Sequence, residues 1–162
     1  MTDLLTKALT IRDPWAQAII HGPKRIENRG QRLDSMLGER VAIHVSKTID
    51  KDAWHYATAV LGSKPPWSEY IAHEDLSHPG HIIGSVRLIG YCDARGDEID
   101  HVQATFTERW HGGAPCPTTS EWWQGPVGWL LDDVVVYEPA PARGMPGFWT
   151  VDDDTRRLLE ER

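Results

Sequence analysis

Three charged side chains between residues 24 and 29 are the first candidates for chemistry. The hexapeptide Lys-Arg-Ile-Glu-Asn-Arg places five polar side chains around one isoleucine, which is not the composition of an ordinary buried strand. Arg29 offers a planar donor fork for a phosphate or a base edge. Glu27 can accept a hydrogen bond from an exocyclic amine or act as a general base. Lys24, once desolvated, can lose its proton and act as a base or nucleophile.

Lys24 and Glu27 are therefore the candidate catalytic residues. In an ideal strand Glu27 and Arg29 point to one side and Lys24 to the other. A bend before the strand would bring all three together. The alternative is a solvated edge strand whose charges pair only with one another, because structural ion networks also resemble sites.

A short helix precedes this segment and would position it. The pattern predicts a helix over residues 14–21, with Asp13 as its N-cap and Pro14 in its first turn. Gly22 is expected to end it in a left-handed conformation. The positions that share its apolar face are Trp15, Ala18 and Ile19.

The remaining elements are mostly short strands. Strands are predicted over residues 6–12, 24–29, 40–46, 81–92 and 127–137, and helices over residues 50–61 and 150–161. Gly84 is expected to admit a close neighbour, and a bulge or turn is expected at residues 132–133. Asp152 or Asp153 would cap the last helix. We predict one α+β, mostly-β domain over residues 1–162, a small β-barrel decorated by helices.

Charge and aromatic content favour a local binding site over a long nucleic-acid groove. The net charge is −7, but residues 1–51 carry nine Lys/Arg against six Asp/Glu, and residues 52–162 carry eight against eighteen. Eight tryptophans is a large number for this length, and tryptophan is common in binding sites as well as in cores. Trp122 and Trp123 follow a Gly/Pro-rich loop and either form a flap that stacks on a base or fill the barrel end.

Several classes of protein find no support in the sequence. Residues 1–10 contain no long apolar run, so neither a signal peptide nor a membrane association is expected, and a cytoplasmic monomer is the default. Two cysteines are too few for a disulfide framework. The histidines at 73, 78 and 81 lack the paired spacing of a zinc site, so no metal is expected. No cofactor fingerprint occurs either.

Five ordered blocks of sequence resemble the ASCH domains of the PUA-like superfamily. The first block is specific, an apolar strand with Pro-Trp-Ala and then Gly-x-Lys-x-x-Glu-x-Arg. The blocks are LTIRDPWA with IHGPKRIENR at residues 9–29, RVAIHVSK at 40–47, GSVRL at 84–88, GPVGWLL at 125–131 and GMPGFW at 144–149. The resemblance covers about residues 8–150 and implies a PUA-like barrel, with the residue 14–21 helix beside its mouth.

The resemblance also implies a function and a set of contact residues. Cointegrator-type ASCH domains are regarded as nucleic-acid-binding modules. Some small bacterial relatives look like N4-acetylcytidine amidohydrolases with a Lys-x-x-Thr motif and a distant Glu; here Lys24 matches, Glu27 replaces the Thr, and Glu74 or Glu108 is the guess for the second acid. The expected substrate-binding residues are Pro14, Trp15, Lys24, Glu27, Asn28, Arg29, His44, Ser46, Trp122, Trp123 and Trp129.

Three functional hypotheses follow. The first is a module that holds a nucleobase or short single-stranded RNA in a cleft beside the barrel, with RNA or a single nucleoside or nucleotide as its partner. The second is a hydrolase acting on a modified nucleoside, or on RNA as a nuclease. The third is a protein-interaction module with a tryptophan-rich surface.

Overall fold

The structure, a computed structural model, describes residues 5–60, 77–95, 100–102 and 120–160. The strands in this part of the chain are Lys7–Ile11 (β1), Ile26–Arg29 (β2), Arg40–Val45 (β3), His81–Asp93 (β4), Asp100–Val102 (β5), Val127–Pro141 (β6) and Phe148–Thr150 (β7). The helices are Trp15–Ile20 (α1), Lys51–Val60 (α2) and Asp153–Glu160 (α3), and Asp34–Met36 is a 3-10 turn. The predicted α+β, mostly-β class is confirmed.

The chain forms two compact units. The first unit comprises the described residues of Met1–Pro23, Arg40–Val86 and Val134–Arg162, and the second those of Lys24–Glu39 and Arg87–Asp133. Strands β4 and β6 contribute residues to both units. The expectation of a single domain over residues 1–162 remains a prediction.

In the first unit the strands lie in the order β6-β4-β3-β1-β7. Strand β1 pairs with β3 in parallel and with β7 in antiparallel, so that Ala8 lies opposite both Ala42 and Trp149. Residues 41–45 are all buried, so both faces of β3 are covered. The buried residues of this core cluster are Leu5, Ala8, Ala42, Ile82, Trp149 and Val151.

The expected close approach at Gly84 is confirmed. A Cβ atom built on Gly84 would lie 2.4 Å from the backbone oxygen of Val135 and 2.8 Å from Cδ1 of Ile20. Helix α1 therefore packs against β4 at a position that only glycine fits without a shift of the backbone.

The predicted ends of helix α1 are both wrong. Its N-cap is Pro14, and no side chain caps it; Asp13 is buried instead, and Gln17 Nε2 donates to its Oδ2 at 3.4 Å. Gly22 is not among the described glycines with positive φ, and the C-cap is His21, whose amide donates to the oxygen of Gln17. The buried Gln17 side chain therefore draws the Asp13 carboxyl inward, away from the helix end.

Burial raises the pKa of Asp13 to about 7, although the hydrogen bonds from Gln17 act in the opposite direction. Gln17 Nε2 also donates to the backbone oxygen of Ser77 at 2.9 Å. Neither Oδ1 of Asp13 nor Oε1 of Gln17 has a hydrogen-bond partner in the described part of the chain. The pair is thus an internal polar group that favours the protonated acid.

The C-terminal helix begins later than predicted. Residues 148–150 form β7 and pair with β1, so α3 starts at Asp153 instead of residue 150; the predicted end at residue 161 lies outside the described residues. Asp152 caps it as expected, because its Oδ1 accepts from the amide of Thr155 at 2.7 Å. Strand β6 is not interrupted at residues 132–133; Asp133 takes a positive φ of 50° within the continuous strand.

The second unit contains strands in the order β5-β4-β6-β2. Strand β2 starts at Ile26, two residues later than predicted, and pairs with β6 in antiparallel. The amide of Leu131 donates to the oxygen of Arg25, which extends this pairing by one bond. In the described ranges, no helix has the length and apolarity that a bilayer span requires.

Candidate functional site

The pairing of β2 with β6 places three candidate residues on one face. Glu27 lies directly opposite Trp129, and Arg29 lies opposite Val127. Because side chains alternate along a strand, Glu27 and Arg29 share a face, and Trp129 lies on that same face. The register of the short strand β2 against the long strand β6 thus positions the acid, one cation and an indole side by side.

Lys24 reaches the same group from outside the strand. Its Nζ donates to the backbone oxygen of Ile26 and to Oε2 of Glu27, the latter at 2.9 Å. The other carboxylate oxygen of Glu27, Oε1, lies 3.1 Å from Nη2 of Arg29. The bend proposed before the strand is therefore present, and it brings the three charges together. We call Lys24, Glu27, Arg29 and Trp129 the Glu27 cluster.

The Glu27 cluster is mostly buried, and its charges are unequal. The side chains of Lys24 and Glu27 are 2% and 9% exposed, whereas that of Arg29 is 28% exposed. Burial lowers the pKa of Lys24, the neighbouring Glu27 carboxylate opposes this change, and the Arg29 guanidinium adds to it. Two cations on one carboxylate leave an excess positive charge, and Arg29 is the member that a ligand can reach.

Trp129 forms the floor beneath Arg29. The guanidinium carbon of Arg29 lies 5.4 Å from the centre of the Trp129 ring, a cation–π distance. Trp129 is 5% exposed, and its Nε1 donates to the backbone oxygen of Gln31 at 2.8 Å. The indole is thus fixed at its polar end, and it holds the Arg29 fork in one orientation.

Asn28 occupies the opposite face of β2 and anchors the tryptophan pair. Its Nδ2 donates to the backbone oxygen of Trp122 at 2.9 Å, and its Oδ1 accepts from the amide of Gln124 at 2.8 Å. Trp122 is buried, and the half-buried ring of Trp123 lies so close to Gly128 that a Cβ there would be 2.5 Å from Cζ3. Asn28 thus fixes the segment, and Trp122 fills the interior of this unit.

Two further predicted residues, Pro14 and Trp15, fall in the first unit at the start of helix α1. Pro14 is buried, and Trp15 is half-buried with its ring 6.2 Å from that of Tyr56 in an edge-on contact. The two residues thus belong to the packing of α1 in that unit.

His44 and Ser46 also lie in the first unit. Nδ1 of His44 lies 3.2 Å from Oγ1 of Thr10, and its Nε2 lies 3.2 Å from the backbone oxygen of Ala142. Both ring nitrogens therefore have protein partners, and burial lowers the pKa of this histidine. Oγ of Ser46 accepts from the amide of Thr48.

A second charged group escaped the sequence reasoning. Asp93, at the end of β4, binds Arg32 from the loop after β2 and Arg95 from the turn that follows it. The spacing of Asp93 and Arg95 was a usable signal, since residues two apart at a strand end can share a side. The contact with Arg32 spans 61 residues of sequence, and no local pattern indicates it.

Several sequence predictions fall outside the described residues. These are the two guesses for a second acid, Glu74 and Glu108, and His73, one of the three histidines whose spacing was compared with that of a zinc site. Among the described residues no group of three or more His, Cys, Asp or Glu side chains is arranged to hold a metal ion.

Comparison with known proteins gives structural matches alone. No protein-family profile matches the chain, and no curated protein matches it. Among solved structures, it is similar to the crystal structure of ASCH from Zymomonas mobilis, with 14% identity, a TM-score of 0.47 and coverage of 96% of this chain and 93% of that one. It is also similar to a single-site mutant of the Zymomonas mobilis ASCH protein, with 13% identity, a TM-score of 0.47 and coverage of 99% and 98%.

Proposed function

We propose that the chain binds a nucleobase, as a nucleoside, a nucleotide or part of a short single-stranded RNA, at the Glu27 cluster. The observation that carries this proposal is the partly exposed guanidinium of Arg29, held over an indole and against a buried carboxylate. The resemblance of residues 24–29 to the ASCH signature supports the same reading.

The chemistry of the cluster suits a base. A guanidinium plane can stack on a base and can donate to its acceptor atoms. Each carboxylate oxygen of Glu27 has a protein donor but also a second lone pair, so Glu27 can accept from an exocyclic amine. Lys24 orients this carboxylate from the buried side through its hydrogen bond to Oε2.

The test is calorimetric titration with the four common nucleosides, N4-acetylcytidine and a randomised single-stranded RNA octamer. The variant Arg29→Met removes the donor fork and keeps an unbranched apolar side chain. A hydrogen bond to a charged group contributes about 1.5–3 kcal/mol, so we expect affinity to fall about 10- to 100-fold. The matched control is Arg157→Met on helix α3, where the side chain is exposed and pairs with Asp154.

Two results would contradict the proposal. One is nucleoside affinity that is the same in Arg29→Met and in the unaltered protein. The other is an equal loss in Arg29→Met and Arg157→Met, because that pattern reflects general charge and not a site.

A hydrolase is the second candidate, and the burial of Lys24 is the observation that favours it. A lowered pKa makes the amine a better base or nucleophile near neutral pH. Incubation with N4-acetylcytidine and analysis for cytidine and acetate tests this function, and Lys24→Met should abolish both products. Binding that leaves the acetyl group intact excludes that amidohydrolase activity and leaves the binding proposal in place.

The protein-interaction hypothesis depends on exposed tryptophans. Every tryptophan in the described ranges is buried or half-buried. This hypothesis predicts a partner that Lys24→Ala retains and Trp122→Ala loses, which a pull-down with each variant would test.

A further inference from the structure

The second charged group has a geometry of its own. Asp93 Oδ2 accepts from Nε of Arg32 at 2.7 Å and from Nη2 of Arg95 at 2.6 Å, and Oδ1 accepts from Nε of Arg95 at 2.9 Å. The amide of Arg95 also donates to Oδ1. We call Asp93, Arg32 and Arg95 the Asp93 clamp.

The carboxylate of the clamp is buried, whereas its two guanidinium groups are exposed to solvent. The side chain of Asp93 is 4% exposed, whereas those of Arg32 and Arg95 are 42% and 47% exposed. Hydrogen bonds from Arg95 and Arg32 hold the pKa of Asp93 well below its usual range, so the group keeps one negative and two positive charges throughout the physiological pH range.

The two guanidinium groups are also held in place by neutral partners. Nη1 of Arg95 donates to the backbone oxygen of Gly30 at 3.1 Å. The guanidinium carbon of Arg32 lies 5.8 Å from the centre of the Tyr91 ring, and the Tyr91 hydroxyl donates to Asp34. With Asp34 included, residues 24–34 and 93–95 carry five cationic against three acidic side chains. That excess comes from residues 24–29, because Arg32 and Arg95 are matched in number by Asp93 and Asp34; the clamp contributes two partly exposed guanidinium groups at fixed positions.

The clamp is near the Glu27 cluster along the chain. Arg29 and Arg32 are three residues apart, so their Cα atoms are at most about 11 Å from each other. Gln31, between them, is fixed by its hydrogen bond from Trp129. Both groups belong to the second unit, and one short loop connects them.

We infer that Arg32 and Arg95, held on Asp93, bind the backbone phosphate of a nucleotide next to the base at the Glu27 cluster, on one single-stranded nucleic acid. This inference rests on the proposed function and extends the binding site to the nucleic-acid backbone next to the bound base. Each guanidinium has several N–H donors and is more than 40% exposed, so it can donate to phosphate oxygens as well as to the carboxylate.

The test measures salt dependence, which counts phosphate contacts. A fluorescein-labelled randomised single-stranded RNA octamer is titrated by anisotropy at a series of salt concentrations, with Arg32→Gln and Arg95→Gln as variants. We expect each variant to lower octamer affinity about tenfold and to reduce the slope of log K against log salt by about 0.7, the value for one single-strand phosphate. Nucleoside affinity should not change, because a nucleoside has no phosphate.

The matched control is Arg157→Gln, which removes the same charge from helix α3. A salt slope that stays the same in folded Arg32→Gln and Arg95→Gln would overturn the inference. So would an equal loss of nucleoside and octamer affinity at an unchanged slope, since the clamp would then be structural. If a glutamine variant fails to fold, Arg95→Lys keeps the charge and loses the fork; its octamer affinity should fall, and an unchanged affinity would overturn the inference.

The two proposals can fail separately. Nucleoside binding that Arg29→Met weakens, together with a salt slope that ignores Arg32 and Arg95, supports the proposed function and refutes the phosphate site. Octamer binding that depends on Arg32 and Arg95 but is the same in Arg29→Met and the unaltered protein, without any nucleoside binding, supports the phosphate site and refutes the proposed function.

Discussion

Replacing Asp13 by asparagine should remove a pH dependence of stability that the buried carboxyl creates. The pKa of this group rises from 3.8 in the unfolded chain to about 7 in the fold. Between these values the folded protein binds more protons than the unfolded one, so stability decreases as pH rises from about 4 to about 7. The shift corresponds to a loss of about 4 kcal/mol once the carboxyl is ionised.

Asparagine has nearly the same shape and does not ionise. Its carbonyl can accept from Gln17 Nε2, and its amide can donate to Gln17 Oε1, which has no partner among the described residues. We therefore expect Asp13→Asn to have the stability of the unaltered protein at about pH 4 and to exceed it by up to about 4 kcal/mol at about pH 8.

Urea unfolding monitored by circular dichroism at a series of pH values measures this difference. The matched control is Asp154→Asn, because the Asp154 side chain is 91% exposed. Two parallel stability curves for Asp13→Asn and the unaltered protein would refute the reasoning, and so would a variant that is the less stable one at alkaline pH.

Three more perturbations have defined outcomes. Glu27→Gln leaves the buried Lys24 amine without its countercharge. The free energy of unfolding, measured in urea near neutral pH, should therefore fall by about 3 kcal/mol. An unchanged free energy would contradict this expectation and would mean that Lys24 is already neutral at that pH. Gly84→Ala should lower the free energy of unfolding by about 1–3 kcal/mol because the new methyl group meets the backbone of Val135. Gly30→Ala should lower it much less, because a Cβ there has no atom within 4 Å. Equal thermal midpoints for the two variants would contradict this contrast. Asp152→Ala should cost about 1 kcal/mol and increase amide exchange in the first turn of α3, and unaltered exchange would count against its capping role.

Local rules predicted the elements whose cause is local. The long strand β4 and the close approach at Gly84 could be predicted because a run of apolar residues and a glycine are both visible in the local sequence. Asp152 could be predicted because a cap needs only its own three neighbours. The meeting of Lys24, Glu27 and Arg29 could be proposed because all three lie within six residues.

The differences arose where a distant residue decided the outcome. Asp13 satisfies the sequence rule for an N-cap, but its carboxyl is buried beside Gln17, which itself donates to the backbone oxygen of Ser77, 60 residues away. Helix α3 begins later than predicted because residues 148–150 pair as a strand with β1, which is far away in sequence. Asp93 accepts a hydrogen bond from Arg32, 61 residues away in sequence, and no local pattern around either residue indicates that contact.

The burial of Lys24 has a consequence for covalent labelling. The Lys24 side chain is 2% exposed, and its amine already donates to two oxygens. An acylating reagent can therefore reach this amine only when residues 24–27 open. Its labelling rate relative to exposed lysines is then a direct gauge of how often that segment opens. A ligand that seals the opening would slow the reaction at this one amine.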